Sequence, residues 1–244
     1  MRFFIQISYT GTNYHGWQIQ PNANSIQAEI NKALSTLLNN HIQVMGAGRT
    51  DAGVHAFKMF AHFDYHQNIN DLNLLSKLNK FLPDDIAIHK IDLVSDDANC
   101  RFDAISRTYE YHIQKTKDPF NINAYLLYRS LNIEAMNAAC SYLLGKQDFT
   151  SFSKVNTQTH TNICNIMSAK WKYVETELIF SIRANRFLRN MVRAIVGTLL
   201  LVGMGKIKPL QIKEIILSKD RGQAGVSVPA HGLFLVDIKY NERQ

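Results

Sequence analysis

Cysteine is scarce in this sequence. Its three cysteines, Cys100, Cys140 and Cys164, lie far apart, form no CxxC pair and join no histidine at metal-ligand spacing. That pattern argues against structural zinc, and an odd, scattered set of thiols suits a reducing cytoplasm. A GxxxxGK[ST] phosphate loop is also missing, since Gly203-Met204-Gly205-Lys206-Ile207 imitates only its end. Neither HExxH nor the HxE and PCxxC set of zinc deaminases occurs. The longest apolar run, Ala194 to Gly205, falls well short of the ~20 residues that a membrane-crossing helix needs. At the start, Met1-Arg2-Phe3-Phe4-Ile5-Gln6-Ile7-Ser8-Tyr9 is interrupted by Gln6 and reads as a strand rather than a signal peptide. The expectation is a cytoplasmic protein with no membrane partner and no metal.

Acidic residues are the minority charge: 20 against 27 Lys and Arg, for a formal +7. This balance fits a partner that carries phosphates. With 46% hydrophobic and 19% charged residues the chain lies in the globular range, far from disordered compositions. Its 244 residues suffice for one large or two small domains, at roughly 100–200 residues per domain.

Strands and amphipathic helices alternate throughout, with no low-complexity linker, which predicts an α/β or α+β fold. Ile26, Ile30, Ala33, Leu34, Leu37 and Leu38 recur at helical spacing after the turn-like Pro21-Asn22-Ala23-Asn24. A second helical pattern carries Leu72, Leu75, Leu78 and Leu82 and stops at Pro83. Between them, Phe57, Met59, Ala61 and Phe63 share one side of a strand, and 85–94 is a further strand. The second half repeats the rhythm: a strand over 107–115, a helix over 133–144 ended by Gly145, strands over 168–176 and 177–184, helices from about Phe187 and from Pro209, and a last strand over 233–240. The expected division is an N-terminal half, 1–105, and a C-terminal half, 106–244.

The strongest local signal is Gly46-Ala47-Gly48-Arg49-Thr50-Asp51-Ala52-Gly53-Val54-His55. Its glycines permit a sharp bend that displays polar side chains. A plain reading exists, in which Thr50-Asp51-Ala52-Gly53 is a type I surface turn carrying an Arg49/Asp51 ion pair. A chemical reading competes with it: an aspartate is an anion at neutral pH, as a nucleophile or electrostatic stabiliser must be.

Two further sets stand out. Alternation puts Tyr109, Tyr111 and Ile113 on one side of a strand, where Tyr109 is either a core tyrosine or a surface for a base. Arg183, Arg186, Arg189 and Arg193 form a cluster. At ~100° per residue the last three lie within about 60° of one another on a helix, with Phe187, Met191, Val192, Ile195, Val196 and Leu199 opposite. No Asp or Glu interrupts this cluster, so its charges suit outside anions.

Taken with its context, the Gly48-Arg49-Thr50-Asp51-Ala52-Gly53-Val54-His55 string resembles the signature of the bacterial tRNA pseudouridine synthase A family. The resemblance runs nearly end to end. Tyr9-Thr10-Gly11-Thr12-Asn13-Tyr14-His15-Gly16-Trp17-Gln18 is similar to the family's N-terminal segment, and Arg101-Phe102 with Ser106-Arg107-Thr108-Tyr109 to its middle motif. Leu144-Gly145, Asp148-Phe149-Thr150-Ser151-Phe152, Asn190-Met191-Val192-Arg193-Ala194-Ile195-Val196-Gly197, and Pro229-Ala230 with Gly232-Leu233 follow in order.

The resemblance implies two RRM-like α/β halves sharing a continuous, mainly antiparallel sheet, helices on one side and a basic cleft. It implies isomerisation of uridine to pseudouridine at positions 38–40 of the tRNA anticodon stem-loop, by a homodimer without cofactor. Asp51 is then the catalytic nucleophile and Arg49 its ion-pair partner. Tyr109 lies against the uracil and Arg193 and Leu233 bind substrate; Arg186 and Arg189 are expected, from the cluster alone, to contact RNA phosphates. Ala98-Asn99-Cys100, Ser153 and Asn162 depart from the family's usual residues, which puts peripheral RNA contacts in doubt. The residues leave open attack at C1′ of the ribose, at C6 of the uracil, or a glycal route; Tyr109 is one candidate for the base that takes the C5 proton. The competing readings are a non-catalytic RNA-binding protein and, more distantly, another Asp-dependent enzyme such as a phosphatase or glycosidase.

Overall fold

The computed structural model describes residues 1–69, 72–155 and 159–241. They form a mixed α/β protein of two compact units. Met1–Ile105 with the described residues from Phe234 onward make the first, and Ser106–Leu233 the second.

The first unit begins with β1 (Arg2–Tyr9), where strict alternation buries Phe3, Ile5, Ile7 and Tyr9. β1 is flanked on both sides by antiparallel strands, β3 (His55–Asp64) and β4 (Ile86–Val94). In register with it, Ala61 faces Ile5 and Phe63 faces Phe3, the last pair stacked with ring centroids 5.4 Å apart. The short β2 (Met45–Gly46) adds to β3.

Helix α1 (Ile26–Leu38) starts where the Ser25 side chain accepts the Ala28 N–H and ends at Asn39 in the left-handed region. It buries Ile26, Ile30, Ala33, Leu34 and Leu38, each contributing about 1.5–3 kcal/mol for the large aliphatics. Helix α2 (Leu74–Phe81) packs beside α1 and against β4, and stops before Pro83 as the sequence predicts. Its buried face differs from the predicted stripe. Leu74, Leu78 and Leu82 are inside and Leu75 is exposed, because the helix begins at Leu74 after a left-handed Asn73 and its i, i+4 row turns inward. Phe57 is likewise not a core residue of β3: it is exposed and lies flat on Phe234, centroids 5.0 Å apart.

The second unit is built on β5 (Ala104–Gln114, from Ser106 on), β9 (Glu177–Ala184), β8 (Ile163–Val174) and β7 (Gly145–Asp148), each antiparallel to the next. The two-residue β6 (Tyr125–Leu126) runs parallel to β5. Helices α3 (Ile133–Cys140), α4 (Met191–Gly203) and α5 (Gln211–Ser218) complete the unit, with α3 against α4. Its core holds Tyr111, Phe149, Phe152, Trp171 and Phe180, all under 2% exposed. α4 is the apolar run of the sequence; eleven of its thirteen residues are buried. Among the described residues no helix is long and apolar enough to cross a membrane.

Two expectations change here. The final strand, β10 (Leu233–Tyr240), groups from Phe234 with the first unit, not with the second. It pairs in parallel with β3, Phe234 facing His55 and Leu235 facing Ala56. Asp237 pairs with Lys58 at 2.8 Å, and the Tyr240 ring packs edge-on against Phe60. Helix α4 begins at Met191, not near Phe187, because Asn190 before it adopts a left-handed conformation (φ 66°). Arg186 and Arg189 therefore lie in the segment that follows β9, and the cationic helix face is replaced by cations on a loop.

The first unit also carries an ion pair suited to a pH test. Arg2 Nε and Nη2 each lie 2.8 Å from an Asp64 oxygen, and the hydrogen bond from Arg2 holds the Asp64 carboxyl below the usual carboxylate range. A lowered folded-state value gives stability that is present above the unfolded value of ~3.9 and lost as pH falls through the folded one. Because both groups are solvent-facing, Asp64→Asn should cost no more than about 1 kcal/mol at pH 7. Urea denaturation at pH 7 and pH 3 should find that gap closing at the lower pH; an equal gap at both would remove the ion pair from the account.

Candidate active site

The Arg49/Asp51 loop joins β2 to β3 in the first unit. Its bend is Asp51–Val54 rather than Thr50–Gly53. The Val54 N–H donates to the Asp51 carbonyl at 3.2 Å, and Gly53 stands third with φ 76°. A third-position residue at positive φ is the demand of a type II turn, which glycine meets without a Cβ clash.

The segment from Tyr9 to Trp17 holds this loop from one side. Thr50 is buried, its Oγ1 2.8 Å from the Tyr9 hydroxyl, and its carbonyl accepts the Trp17 N–H. The Gly53 N–H donates to the Tyr14 carbonyl and the Gly11 N–H to His55 Nδ1. Gly16 sits at φ 92°, and a Cβ there would lie 2.4 Å from the Thr50 oxygen; a Cβ on Gly11 would lie 2.1 Å from that of Val54. Backbone thus rests on backbone at two points, a closeness only glycine permits. Tyr14 is tied in turn to Asp85, 2.6 Å from its hydroxyl; burial first, then that carboxylate, push the phenol above its ordinary range.

With Thr50 buried, its neighbours turn outward: Arg49 is exposed and Asp51 half-buried. One loop therefore presents both side chains. A half-buried carboxylate keeps its charge accessible while losing part of its water, a setting that suits attack on an electrophilic carbon.

Tyr109, Arg193 and Leu233 belong to the second unit. Tyr109 faces Ile182 across β5 and β9, and its half-buried ring stands edge-on to Phe187 at 5.2 Å. Arg193, in the first turn of α4, donates from Nε to the Val228 carbonyl at 2.8 Å, while its own carbonyl accepts the Val228 N–H. A double link of this kind fixes the guanidinium stem. Leu233 is buried next to Gly232, where a Cβ would press on the Tyr111 ring. Arg186 is half-buried and Arg189 exposed.

Sequence reasoning missed the strap over residues 224–229 that positions Arg193. Gly197 lets this strap lie on α4, since a Cβ there would sit 1.9 Å from the Val226 oxygen. Thr198 Oγ1 accepts the Gly225 N–H, and Ser227 Oγ is held by Asn190 and Arg221 at 2.6 and 3.0 Å. The adjacent glycine in the Met-Val-Arg block was the available signal, but its partner lies about thirty residues away in sequence. Among the described residues no group of three or more His, Cys, Asp or Glu is placed to hold a metal ion.

The sequence profile of a family described as tRNA pseudouridine synthase matches residues 5–103 and 139–241. The chain is 51% identical over 245 residues to tRNA pseudouridine synthase A of Bacteroides thetaiotaomicron, covering 99% of this chain and 91% of that one. It is 52% identical over 243 residues to the protein of that name from Parabacteroides distasonis, covering 99% and 96%. The corresponding protein of an Exiguobacterium species is 37% identical, covering 99% and 98%.

The two positive-φ glycines, Gly16 and Gly53, predict an order of damage. Gly53→Ala should cost about 1–2 kcal/mol for a side chain held at positive φ. Gly16→Ala carries the same conformational cost and a backbone clash besides, so it should lose more, about 3 kcal/mol or above. Urea denaturation of the two variants tests this; equal losses would mean that the Gly16–Thr50 contact relaxes freely.

Proposed function

The chain belongs to the tRNA pseudouridine synthase family, enzymes that isomerise uridine to pseudouridine in tRNA, and from that premise we propose that Asp51 is its catalytic nucleophile, acting on uridines 38–40 of the anticodon stem-loop. The reaction breaks the bond from ribose C1′ to uracil N1, turns the base, and forms the bond from C1′ to C5. The C5 proton leaves and N1 gains one, so atoms and electrons balance without an outside redox partner. The base has to leave its stack to be reached.

The observation that carries the assignment is the Asp51 turn. Its backbone is pinned by Tyr14, Trp17 and the glycines at 11 and 16, and its carboxylate is left half-exposed beside an outward Arg49. A nucleophile requires that combination of fixed stem and accessible charge. Arg49 is its ion-pair partner. Tyr109 offers the uracil a ring face, Arg193 and Leu233 bind the target nucleotide, and Arg186 and Arg189 take flanking phosphates. The working form is a homodimer in the cytoplasm.

Release of tritium from tRNA labelled at uracil C5 measures the reaction directly. Asp51→Asn and Asp51→Ala should lower release at least about a thousandfold, with tRNA affinity kept within a few-fold. Retained release in either variant would end the nucleophile assignment, and wild-type protein that binds tRNA but releases no label would favour a non-catalytic RNA-binding role. Arg193→Ala should reduce kcat/KM about tenfold or more, and Arg193→Lys should recover only part of it, since a lysine cannot reproduce the Nε bond to Val228. Full recovery by lysine would reduce Arg193 to a point charge.

A further inference from the structure

The second unit also carries a recess with two cations on its wall, beginning one residue before Phe187, whose ring packs on Tyr109. Where β7, β8 and the residues after β9 meet, a recess of about 340 Å³ opens among Lys146, Thr161, Asn165, Asn185 and Arg186, with Ile163 and the buried Cys164 as its apolar part. That volume is at the small end of ligand sites, ~300–1,000 Å³. Lys146 stands opposite Asn165 in the β7–β8 register. Asn185 is locked to Asn165 by two bonds: its side-chain Oδ1 accepts the Asn165 N–H at 2.8 Å, and its own N–H donates to the Asn165 carbonyl at 3.2 Å. This commits the amide's acceptor and leaves its Nδ2 donor for a ligand. Arg186 follows directly, half-buried, and Lys146 is exposed at the rim.

The charge of the recess is positive. Asp148, two residues along β7 from Lys146, is already engaged by Lys219 at 3.1 Å and by the Thr150 hydroxyl at 2.6 Å. Cys164 is fully buried, and desolvation pushes its thiol up to about 11, so it is neutral at physiological pH and repels no anion. Two cations, two amides and a hydroxyl, beside the apolar Ile163, supply donors of the kind that recognise phosphate oxygens.

We propose that this recess seats a backbone phosphate of the tRNA, with Lys146 and Arg186 as its paired cations. The proposal rests on the reading of the chain as a tRNA-modifying enzyme and extends it by a residue, Lys146, from β7. Asn162, between the lining residues of β8 and its approach, is uncharged and turned to the Thr150 hydroxyl at 2.8 Å. The positive charge here therefore comes from Lys146 and Arg186.

The test is tRNA binding over a salt series, with Lys146→Ala, Arg186→Ala and the double variant. Each single change should raise Kd roughly five- to tenfold near 0.1 M salt and lower the slope of log K against log salt by about 1; the double variant should lower it by about 2. Lys213→Ala, which removes one exposed charge from α5, should leave both quantities at wild-type values, and Arg186→Lys should keep the slope. Wild-type affinity and slope in Lys146→Ala, or an equal loss in Lys213→Ala, would overturn the site. Tritium release from the same preparations keeps the two readings separate. A wild-type protein without release would defeat the catalytic reading alone, whereas unaltered binding by Lys146→Ala with normal release would defeat the recess alone.

Discussion

The Arg49/Asp51 loop depends on one contact: the peptide of Thr50 pressed against Gly16, with the Thr50 hydroxyl on Tyr9. Burying a threonine between two ionisable neighbours forces both of them outward, and the loop then has few other ways to lie. A buried hydroxyl pair of this kind is worth about 1 kcal/mol net, but leaving either partner unmatched costs about 1–3. The penalty for slipping is larger than the reward for staying, so the bend is held more by what its alternatives would lose than by the strength of its bonds. Gly11, on the other flank, repeats the arrangement against Val54.

The second unit reaches a similar end by different means. Arg193 is positioned by a strap that bonds to it through both the side chain and the main chain. The strap is itself seated by Thr198 and by the absence of a Cβ at Gly197. In both units an ion-bearing residue takes its place from a neighbouring segment whose backbone comes within contact distance of a glycine. A mutation in either glycine would therefore displace the loop of Asp51 or the strap on Arg193 although neither of those side chains had been touched.

Much of this was legible in the sequence, for identifiable reasons. Period-two alternation in Phe3, Ile5, Ile7 and Tyr9 and the helical spacing of Ile26, Ile30 and Leu34 are local signals, and burial follows them. The Gly48–His55 string announced a bend with Arg49 and Asp51 on it. What escaped was non-local or conformational. Nothing short-range tells the turn at Gly53 from one residue earlier, because the choice is made by Tyr14 and Trp17. The start of α4 is set by a left-handed Asn190, so the regular spacing of Arg186, Arg189 and Arg193 did not imply a shared helix face. Leu75 fitted a stripe as well as Leu74 did, and only the helix start decided between them. The return of β10 to β3 pairs residues nearly 180 positions apart, beyond any pattern in a window.

That return has a consequence for biogenesis. The first unit's sheet gains β10 only after the entire intervening chain has been made, so on the ribosome its N-terminal strands emerge long before β10 does. β3 meanwhile presents open hydrogen-bonding groups at its N-terminal end, the kind of edge that invites mispairing. Closing so long a loop is slow, and the second unit, whose residues are contiguous, can complete itself first. Maturation of the half that bears Asp51 thus waits on the synthesis of β10, and a chain terminated before Leu233 would lack the strand that pairs with β3 just after the Arg49/Asp51 loop.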